Sequence, residues 1–323
     1  MANRHREALA RRLLVVASYL GDLLGVFGLV LVLPAIPGLV YHEYREAAVF
    51  LICGAATAAA GWLLRRLLPH GKMGVREAIL LCTSAWVVCS LVAAVPLHLT
   101  TGAGYLNSAL ESVSGLTTTG LTVLPNLEHL PRTVLFWRST SQLLGGLGIL
   151  SFFLLVSYPG SSAHRLFHSE ATKTRVSRPA PSLRHTVAIT WGIYGMLLVF
   201  NLVVLMVLGT GGFDALNYAF STTSTGGFAP HVLGVGHYRA IGHPGALGIE
   251  LATVFFMALG GINYLLHYRA LSGNVGVLFS STESRRYWLL MLFGVALVGV
   301  EALTLPQTWQ TLGQILPTGQ VAG

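Results

Sequence analysis

The stretch Ala109–Gly120 reads A-L-E-S-V-S-G-L-T-T-T-G, and Ala215–Gly226 reads A-L-N-Y-A-F-S-T-T-S-T-G. Aligned without gaps at an offset of 106 residues, the two are identical at five of twelve positions. In each, about eight helix-compatible residues lead into a Thr/Ser tripeptide and a glycine. The apolar segments that follow both contain Leu-Gly-Gly, at Leu144–Gly146 and Leu259–Gly261. The chain therefore repeats one unit: helix, short re-entrant helix, Thr/Ser-Gly loop, helix.

Each part of this unit favours the binding of a cation. A short helix whose C-terminus points into the membrane directs the negative end of its dipole toward a positive charge. The extended residues that follow can turn backbone carbonyl oxygens toward an axis and replace the water shell of an ion, as in potassium filters. Gly120 and Gly226 allow backbone conformations that a Cβ atom would disfavour. The unit predicts a filter of carbonyl oxygens for a weakly hydrated monovalent cation.

The composition predicts a membrane protein. Of the 323 residues, 53% are hydrophobic and only 10% are charged, against about 25% charged in soluble domains. We predict an all-α polytopic membrane protein with about seven spanning helices, two re-entrant pore helices and their filter loops. A span needs about 17–25 helical residues, and the seven predicted spans are Leu13–Leu33, Ala47–Leu64, Ile79–Leu97, Val134–Val156, Val187–Leu208, Ala246–Leu266 and Trp288–Leu305.

The chain has a net charge of +8, and its basic residues are distributed as expected for a membrane topology. If the N-terminus is cytoplasmic, sixteen of the twenty Lys and Arg residues lie in inner segments, as the positive-inside rule requires. The distribution therefore predicts a multi-pass protein of the cell (inner) membrane with a cytoplasmic N-terminus. It argues against a nucleic-acid partner, whose footprint would be a continuous basic patch. The remaining basic residues are predicted outside or at the outer interface: Arg45, Arg132, Arg138 and Arg239.

Four segments carry a resemblance to a known family: Glu111–Leu124, Phe136–Ile149, Phe220–Phe228 and Gly260–Arg269. They resemble the Trk/Ktr potassium-uptake membrane subunits, and the match covers nearly the whole chain. The two spans before the first repeat resemble the extra N-terminal helix pair of Trk-type members. The implied domains are an N-terminal helix pair (1–73), a first helix–pore–helix repeat (74–160), a cytoplasmic linker (161–182), a second repeat (183–270) and the first helix of an incomplete third repeat (271–323).

In that family four repeats surround one ion pathway, and potassium is the substrate. The resemblance implies that the carbonyls of Thr118, Thr119 and Gly120 form one filter wall. Those of Ser224, Thr225 and Gly226 form a second, and Thr117 and Thr223 continue toward the inner side. It also implies a cytosolic nucleotide-binding regulatory subunit, a homodimer in the lipid bilayer and no cofactor in this chain.

The sequence departs from the family pattern after the seventh span. It ends in Pro306–Gly323, without a further Thr-Gly filter loop. We therefore expect a C-terminally truncated chain that does not conduct alone, unless two copies supply four loops together. A non-conducting subunit or assembly partner is the alternative. An intramembrane protease is a less favoured interpretation. The serine motif of such proteases around Ser114-Gly115 requires Gly at position 112, where this chain has Ser112, and the zinc-protease motif HExxH is absent. We predict no enzyme.

The sequence alone does not decide the roles of several ionisable residues. Asp22 lies inside the first span, where ionisable groups are costly; it either has a role in function or faces a neighbouring helix or polar cavity. Glu111, on the first pore helix, either concentrates cations or holds the loop in place. Asp214 is predicted as a helix N-cap. The spacing of His231, His237 and His243 matches no strong metal-binding motif. Cys53, Cys82 and Cys89 lie in apolar segments and are predicted to be packing residues.

Overall fold

The computed structural model describes residues 2–71, 73–148 and 183–304. Within these residues all regular structure is helical, and the predicted all-α membrane class is confirmed. The helices are α1 (Ala2–Leu31), α2 (Ala35–Val40), α3 (Tyr44–Leu67), α4 (Val75–Thr101), α5 (Tyr105–Leu116), α6 (Arg132–Gly146), α7 (Leu183–Val207), α8 (Gly212–Thr223), α9 (His237–Ala240), α10 (Ala246–Gly260), α11 (Tyr264–Leu271), α12 (Val277–Ser280) and α13 (Thr282–Thr304), with short 3-10 helices η1 (Leu127–His129) and η2 (Gly234–Gly236).

Four helical segments of the described chain are long and apolar enough to cross a membrane. They correspond to the first, second, third and fifth predicted spans. Helix α13 covers most of the predicted seventh span. The predicted linker 161–182 lies outside the described residues. The four spanning segments are Ala10–Val40, Tyr44–Leu67, Arg76–Thr101 and Val187–Val207.

The two remaining predicted spans are interrupted. Helix α6 ends at Gly146 and helix α10 at Gly260, so neither Val134–Val156 nor Ala246–Leu266 is described as one continuous helix; residues 149–156 lie outside the described part. Both breaks fall on the Leu-Gly-Gly motifs, where glycine has low helix propensity. The glycines also admit close neighbours: a Cβ on Gly145 would lie 2.0 Å from the Leu116 carbonyl oxygen. The motifs are therefore packing sites behind the loops.

The chain divides into two compact units, residues 1–264 and 265–323. The first contains both re-entrant helices and their loops. In the second, the indole N–H of Trp288 donates to the Leu278 carbonyl at 2.9 Å, and the Trp288 ring stacks on Phe279. These contacts fasten α12 to the first turns of α13.

Helices α1 and α3 cross at close range because glycines line their interface. A Cβ on Gly61 would lie 2.4 Å from the Gly25 nitrogen, and one on Gly28 would lie 2.6 Å from the Gly54 oxygen. Small residues at such positions let helix backbones approach in a bilayer, where van der Waals packing drives association. This pair forms the wall on which α4 and the first repeat pack.

Asp22 belongs to the same interface. Its carboxylate lies 3.1 Å from the Arg65 guanidinium of α3 and 3.0 Å from His70 Nε2. Asp22 thus faces a neighbouring helix, the second of the two readings that its position left open. A charge inside a span is costly unless it is paired, and here the pair joins α1 to the end of α3.

Candidate ion-binding site

The two re-entrant units share one backbone geometry. Helices α5 and α8 each have twelve residues, and each follows a glycine with the same dihedral angles: φ −56°, ψ 146° at Gly104 and φ −58°, ψ 146° at Gly211. After each helix the chain enters the left-handed region, at Thr118 (φ 54°) and Thr225 (φ 55°). It does so again two residues later, at Gly120 (φ 77°) and at Gly227. Alternating backbone conformations of this kind redirect successive peptide groups within each loop.

The structural repeat has an offset of 107 residues, so the ungapped alignment at 106 is one residue out of register within the loops. The Thr118 amide donates to the Gly115 carbonyl at 3.1 Å, and the equivalent bond of the second unit runs from Thr225 to Thr222 at 3.0 Å. An alignment that counts identical residues misses the offset of 107, because Thr, Ser and Gly replace one another at loop positions where the backbone conformation is what repeats. The position equivalent to Gly120 is Gly227, which the sequence analysis did not single out.

The two loops, residues 117–120 and 223–227, lie against each other. A Cβ on Gly120 would lie 2.0 Å from the Gly226 carbonyl oxygen, so only a glycine fits at this approach. Thr117, Thr119 and Thr225 are exposed, whereas the second loop is buried at its other positions up to Gly226. The Thr117 and Thr119 hydroxyls are hydrogen-bonded at 2.8 Å. The structure therefore brings all the predicted filter residues into two adjoining loops.

A buried ion pair between α5 and α6 supports these loops. The carboxylate of Glu111 on α5 accepts from Arg138 Nε of α6 at 2.7 Å, and the two side chains are 0% and 2% exposed. The same carboxylate accepts from the Thr122 hydroxyl at 3.0 Å and from the Val123 amide at 2.9 Å. Glu111 thus holds the segment after the first loop in place. Arg138, predicted outside or at the outer interface, is buried within the protein as the partner of Glu111.

Arg138 extends the connection to the second repeat. One terminal nitrogen donates to the Ala229 carbonyl at 3.0 Å, and the guanidinium lies over the Phe228 ring at 4.2 Å. Both residues follow the second loop directly. Charge-assisted hydrogen bonds and a cation over an aromatic face are strong interactions where water is excluded. One ion pair therefore fixes the segments that leave both loops.

Further polar side chains of α6 support the second loop. Gln142 Oε1 accepts from the Phe228 amide at 3.0 Å, and its amide group packs where a Cβ on Gly226 would lie. The Ser139 hydroxyl donates to Asn217 Oδ1 on α8 at 2.5 Å. Buried polar groups are stable in such a setting when they are hydrogen-bonded. Ser139 and Gln142 were not predicted as site residues; a polar stripe inside an apolar segment is the sequence signal that indicates them.

Asp214 has a different role from the predicted one. Helix α8 is capped by Gly211, and Asp214 lies within its first turn, so the N-cap prediction is wrong. Its carboxylate instead accepts from His231 Nε2 at 2.9 Å and from the Tyr238 hydroxyl at 3.0 Å. The ring of His237 stacks on that of His231. Burial, and then the neighbouring His231, lower the pKa of His237.

With four apolar segments long enough to span a membrane and two short helices whose loops adjoin, the described chain has the fold of a multi-pass membrane protein. A family model described as "TrkH: Cation transport protein" matches residues 43–322. The chain belongs to this family, and the predicted resemblance to Trk-type subunits is confirmed.

Known relatives support the assignment. The chain is 29% identical over 92% of its length to the Trk system potassium uptake protein TrkH of Halomonas elongata, and 30% identical over 90% of its length to that of Salmonella typhimurium. It spans 62% and 59% of those proteins. The crystal structure of the potassium transporter TrkH from Vibrio parahaemolyticus matches with a TM-score of 0.73 at 23% identity, over 90% of this chain and 59% of that one, which shows the fold.

Proposed function

We propose that this chain supplies two walls of a potassium-uptake pathway. The observation that carries the proposal is the direct approach of Gly120 to the Gly226 carbonyl, with no side chain between the loops. The names of the Halomonas and Salmonella relatives, potassium uptake proteins, support the choice of ion. The substrate is therefore the potassium ion, and the chain needs no cofactor of its own for this task.

The ion is held by backbone oxygens. In the proposed site, the carbonyls of residues 118–120 and 224–227 replace part of its water shell, while Thr117 and Thr223 continue the path inward. Helices α5 and α8 end directly at the two loops, so their negative dipole ends favour a cation there. Neither loop contains a carboxylate. A site of neutral oxygens suits an ion that gives up its water readily, as potassium does in carbonyl filters.

Two walls do not enclose an ion, so the pathway requires more loops of the same kind. The Trk/Ktr resemblance implies four, and we infer that the other two come either from further repeats or from a second copy of the chain. The rest of the arrangement follows the family pattern: domain limits as predicted, a cytoplasmic N-terminus in the cell membrane, a homodimer and a cytosolic nucleotide-binding regulatory subunit.

The two alternative functions are a non-conducting assembly partner and an intramembrane protease. A non-conducting assembly partner would share the whole fold and is separated from the proposal only by measuring flux. An intramembrane protease requires a base beside its serine. Ser114 is buried, and its hydroxyl has no hydrogen-bonding partner among the described residues, so nothing there favours catalysis.

The proposal is tested by rubidium uptake in a bacterial strain that lacks its own potassium-uptake systems. One culture expresses the 323-residue chain. Another expresses a chimera in which this chain replaces the matching part of the Vibrio TrkH, whose remaining sequence then supplies the other repeats. We expect uptake from the chimera, competed by potassium but not by equal sodium, and none from the chain alone.

Membrane levels of both proteins are measured by immunoblot, so that absent uptake is not mistaken for absent protein. Uptake by the chain alone would show that two copies complete the pathway. A chimera that reaches the membrane at the level of the parent TrkH and transports no rubidium would contradict the proposal and favour the non-conducting reading.

A further inference from the structure

Gln142 connects α6 of the first repeat to the backbone of the second repeat. Its side chain is fully buried, and its Oε1 atom accepts from the Phe228 amide at 3.0 Å. A Cβ on Gly226 would lie 2.5 Å from the same oxygen and 2.8 Å from Nε2. Because a backbone N–H requires an acceptor, Oε1 is directed to Phe228, and the amide group packs on Gly226. One side chain of the first repeat thus contacts two backbone positions of the second.

Gly226 is also the residue through which the second loop meets the first. Its carbonyl oxygen lies where a Cβ on Gly120 would be, while its own Cβ position is occupied by the amide of Gln142. A peptide group is planar and moves as a unit. A displacement of Gly226 relative to Gln142 therefore moves a carbonyl oxygen at the contact between the two loops.

The second unit lacks a glutamine at the equivalent position. Gly145 and Gly260 are equivalent, because each packs against the carbonyl oxygen of the last residue of its own re-entrant helix. Three residues before these glycines are Gln142 and Met257, respectively. The helix break and the loop geometry of the second unit thus form with an apolar side chain at this position. The fold of the unit does not require the glutamine.

We propose that Gln142 is a positioning residue that determines the ion preference of the second loop, an inference that rests on the proposed transport function. Gln142 does not contact the ion. By holding Gly226 and Phe228, it fixes the carbonyl oxygens of the loop at a spacing that fits potassium. Ligating groups keep a defined geometry when packed, hydrogen-bonded residues behind them hold them in place. Carbonyl oxygens that can move closer together also stabilise the smaller sodium ion.

The test is rubidium uptake by the chimera with Gln142→Met, measured over a range of rubidium concentrations and with potassium or sodium as competitor. Methionine has a similar length but cannot accept from the Phe228 amide, which leaves a buried donor unpaired. We expect the KM for rubidium to rise at least about tenfold. We also expect the sodium concentration for half-inhibition to fall at least about tenfold relative to that of potassium. A loss of folded protein alone would lower the maximal rate and leave both quantities unchanged.

The matched control is Tyr218→Phe. The Tyr218 hydroxyl on α8 donates to the Gly234 carbonyl at 2.8 Å, so this variant also removes a hydrogen bond to the segment after the second loop, but further along the chain from Gly226. We expect an unchanged KM and an unchanged preference for potassium. A second variant, Gln142→Asn, keeps the amide group but is one methylene shorter. It is expected to change both quantities in the same direction as Gln142→Met.

Membrane levels are again measured by immunoblot. The proposal is overturned if the Gln142 variants reach the membrane and keep the KM and the ion preference of the unmodified chimera, or if Tyr218→Phe changes them equally. Absence of both Gln142 variants from the membrane would make Gln142 a folding residue and would overturn it as well. An unmodified chimera that reaches the membrane without uptake contradicts the proposed function itself, whereas uptake that the Gln142 variants leave unaltered contradicts only the role of Gln142.

Discussion

Replacing Glu111 by glutamine is expected to lower the free energy of unfolding by about 3–5 kcal/mol, because removing one partner of a buried ion pair leaves the other charge uncompensated. The Arg138 side chain is only 2% exposed. Glutamine has one acceptor oxygen where glutamate has two, so it cannot accept from both Arg138 Nε and the Val123 amide. The measurement is a denaturant titration of the purified protein in detergent micelles.

The matched control is Glu250→Gln. Glu250 also pairs with an arginine, Arg239, but that arginine is 65% exposed, and exposed ion pairs contribute little. We expect an unfolding curve close to that of the unmodified protein. Equal effects of the two substitutions would contradict the role of Glu111 as the buried clamp. The double replacement Glu111→Leu/Arg138→Met should recover much of the lost stability, since it leaves no buried charge.

Substituting Gly120 by alanine is expected to reduce rubidium uptake by the chimera at least about tenfold, the effect of only about 1.4 kcal/mol at the site. Two independent effects act here. The φ angle of +77° is unfavourable for any residue with a Cβ atom. The new methyl group would also lie 2.0 Å from the Gly226 carbonyl oxygen. One loop must therefore move, and the oxygen atoms move with it.

Gly102→Ala separates these two effects. Gly102 has a similar φ of +69°, but a Cβ there would meet nothing within 4 Å. We expect uptake close to that of the unmodified chimera, because only the backbone strain is introduced. If Gly102→Ala reduces uptake as much as Gly120→Ala does, the result reflects folding rather than the loops. Full uptake by Gly120→Ala would argue that the loop contact has no part in transport.

Continuous apolar segments were predictable from the sequence. Helices α3, α4 and α7 coincide with predicted spans because each stretch is apolar throughout and long enough to cross a bilayer. The breaks at Gly146 and Gly260 were not predicted, because hydropathy does not register a glycine pair whose lack of side chains admits another backbone. The Leu-Gly-Gly motifs were recognised as part of the repeat, but their effect on helix continuity depends on what packs against them.

Ion-pair partners that are distant in the sequence could not be predicted from local sequence patterns. The partners of Asp22 lie 43 and 48 residues away, at Arg65 and His70, so a search within one helical turn could not find them. The same holds for Glu111 and Arg138, which belong to the re-entrant and the following helix of one unit. The predicted filter residues lie in two loops of the structure, but the register of the repeat differs by one residue because backbone geometry defines it.

Backbone oxygens of the two adjoining loops are expected to hold a dehydrated monovalent cation. Anomalous diffraction from crystals of the chimera grown with thallium(I), a heavy substitute for potassium, tests it most directly. We expect anomalous density between the loops, within direct coordination distance of the carbonyl oxygens of residues 118–120 and 224–227. Well-defined loops with no density between them, and thallium bound only elsewhere, would contradict it.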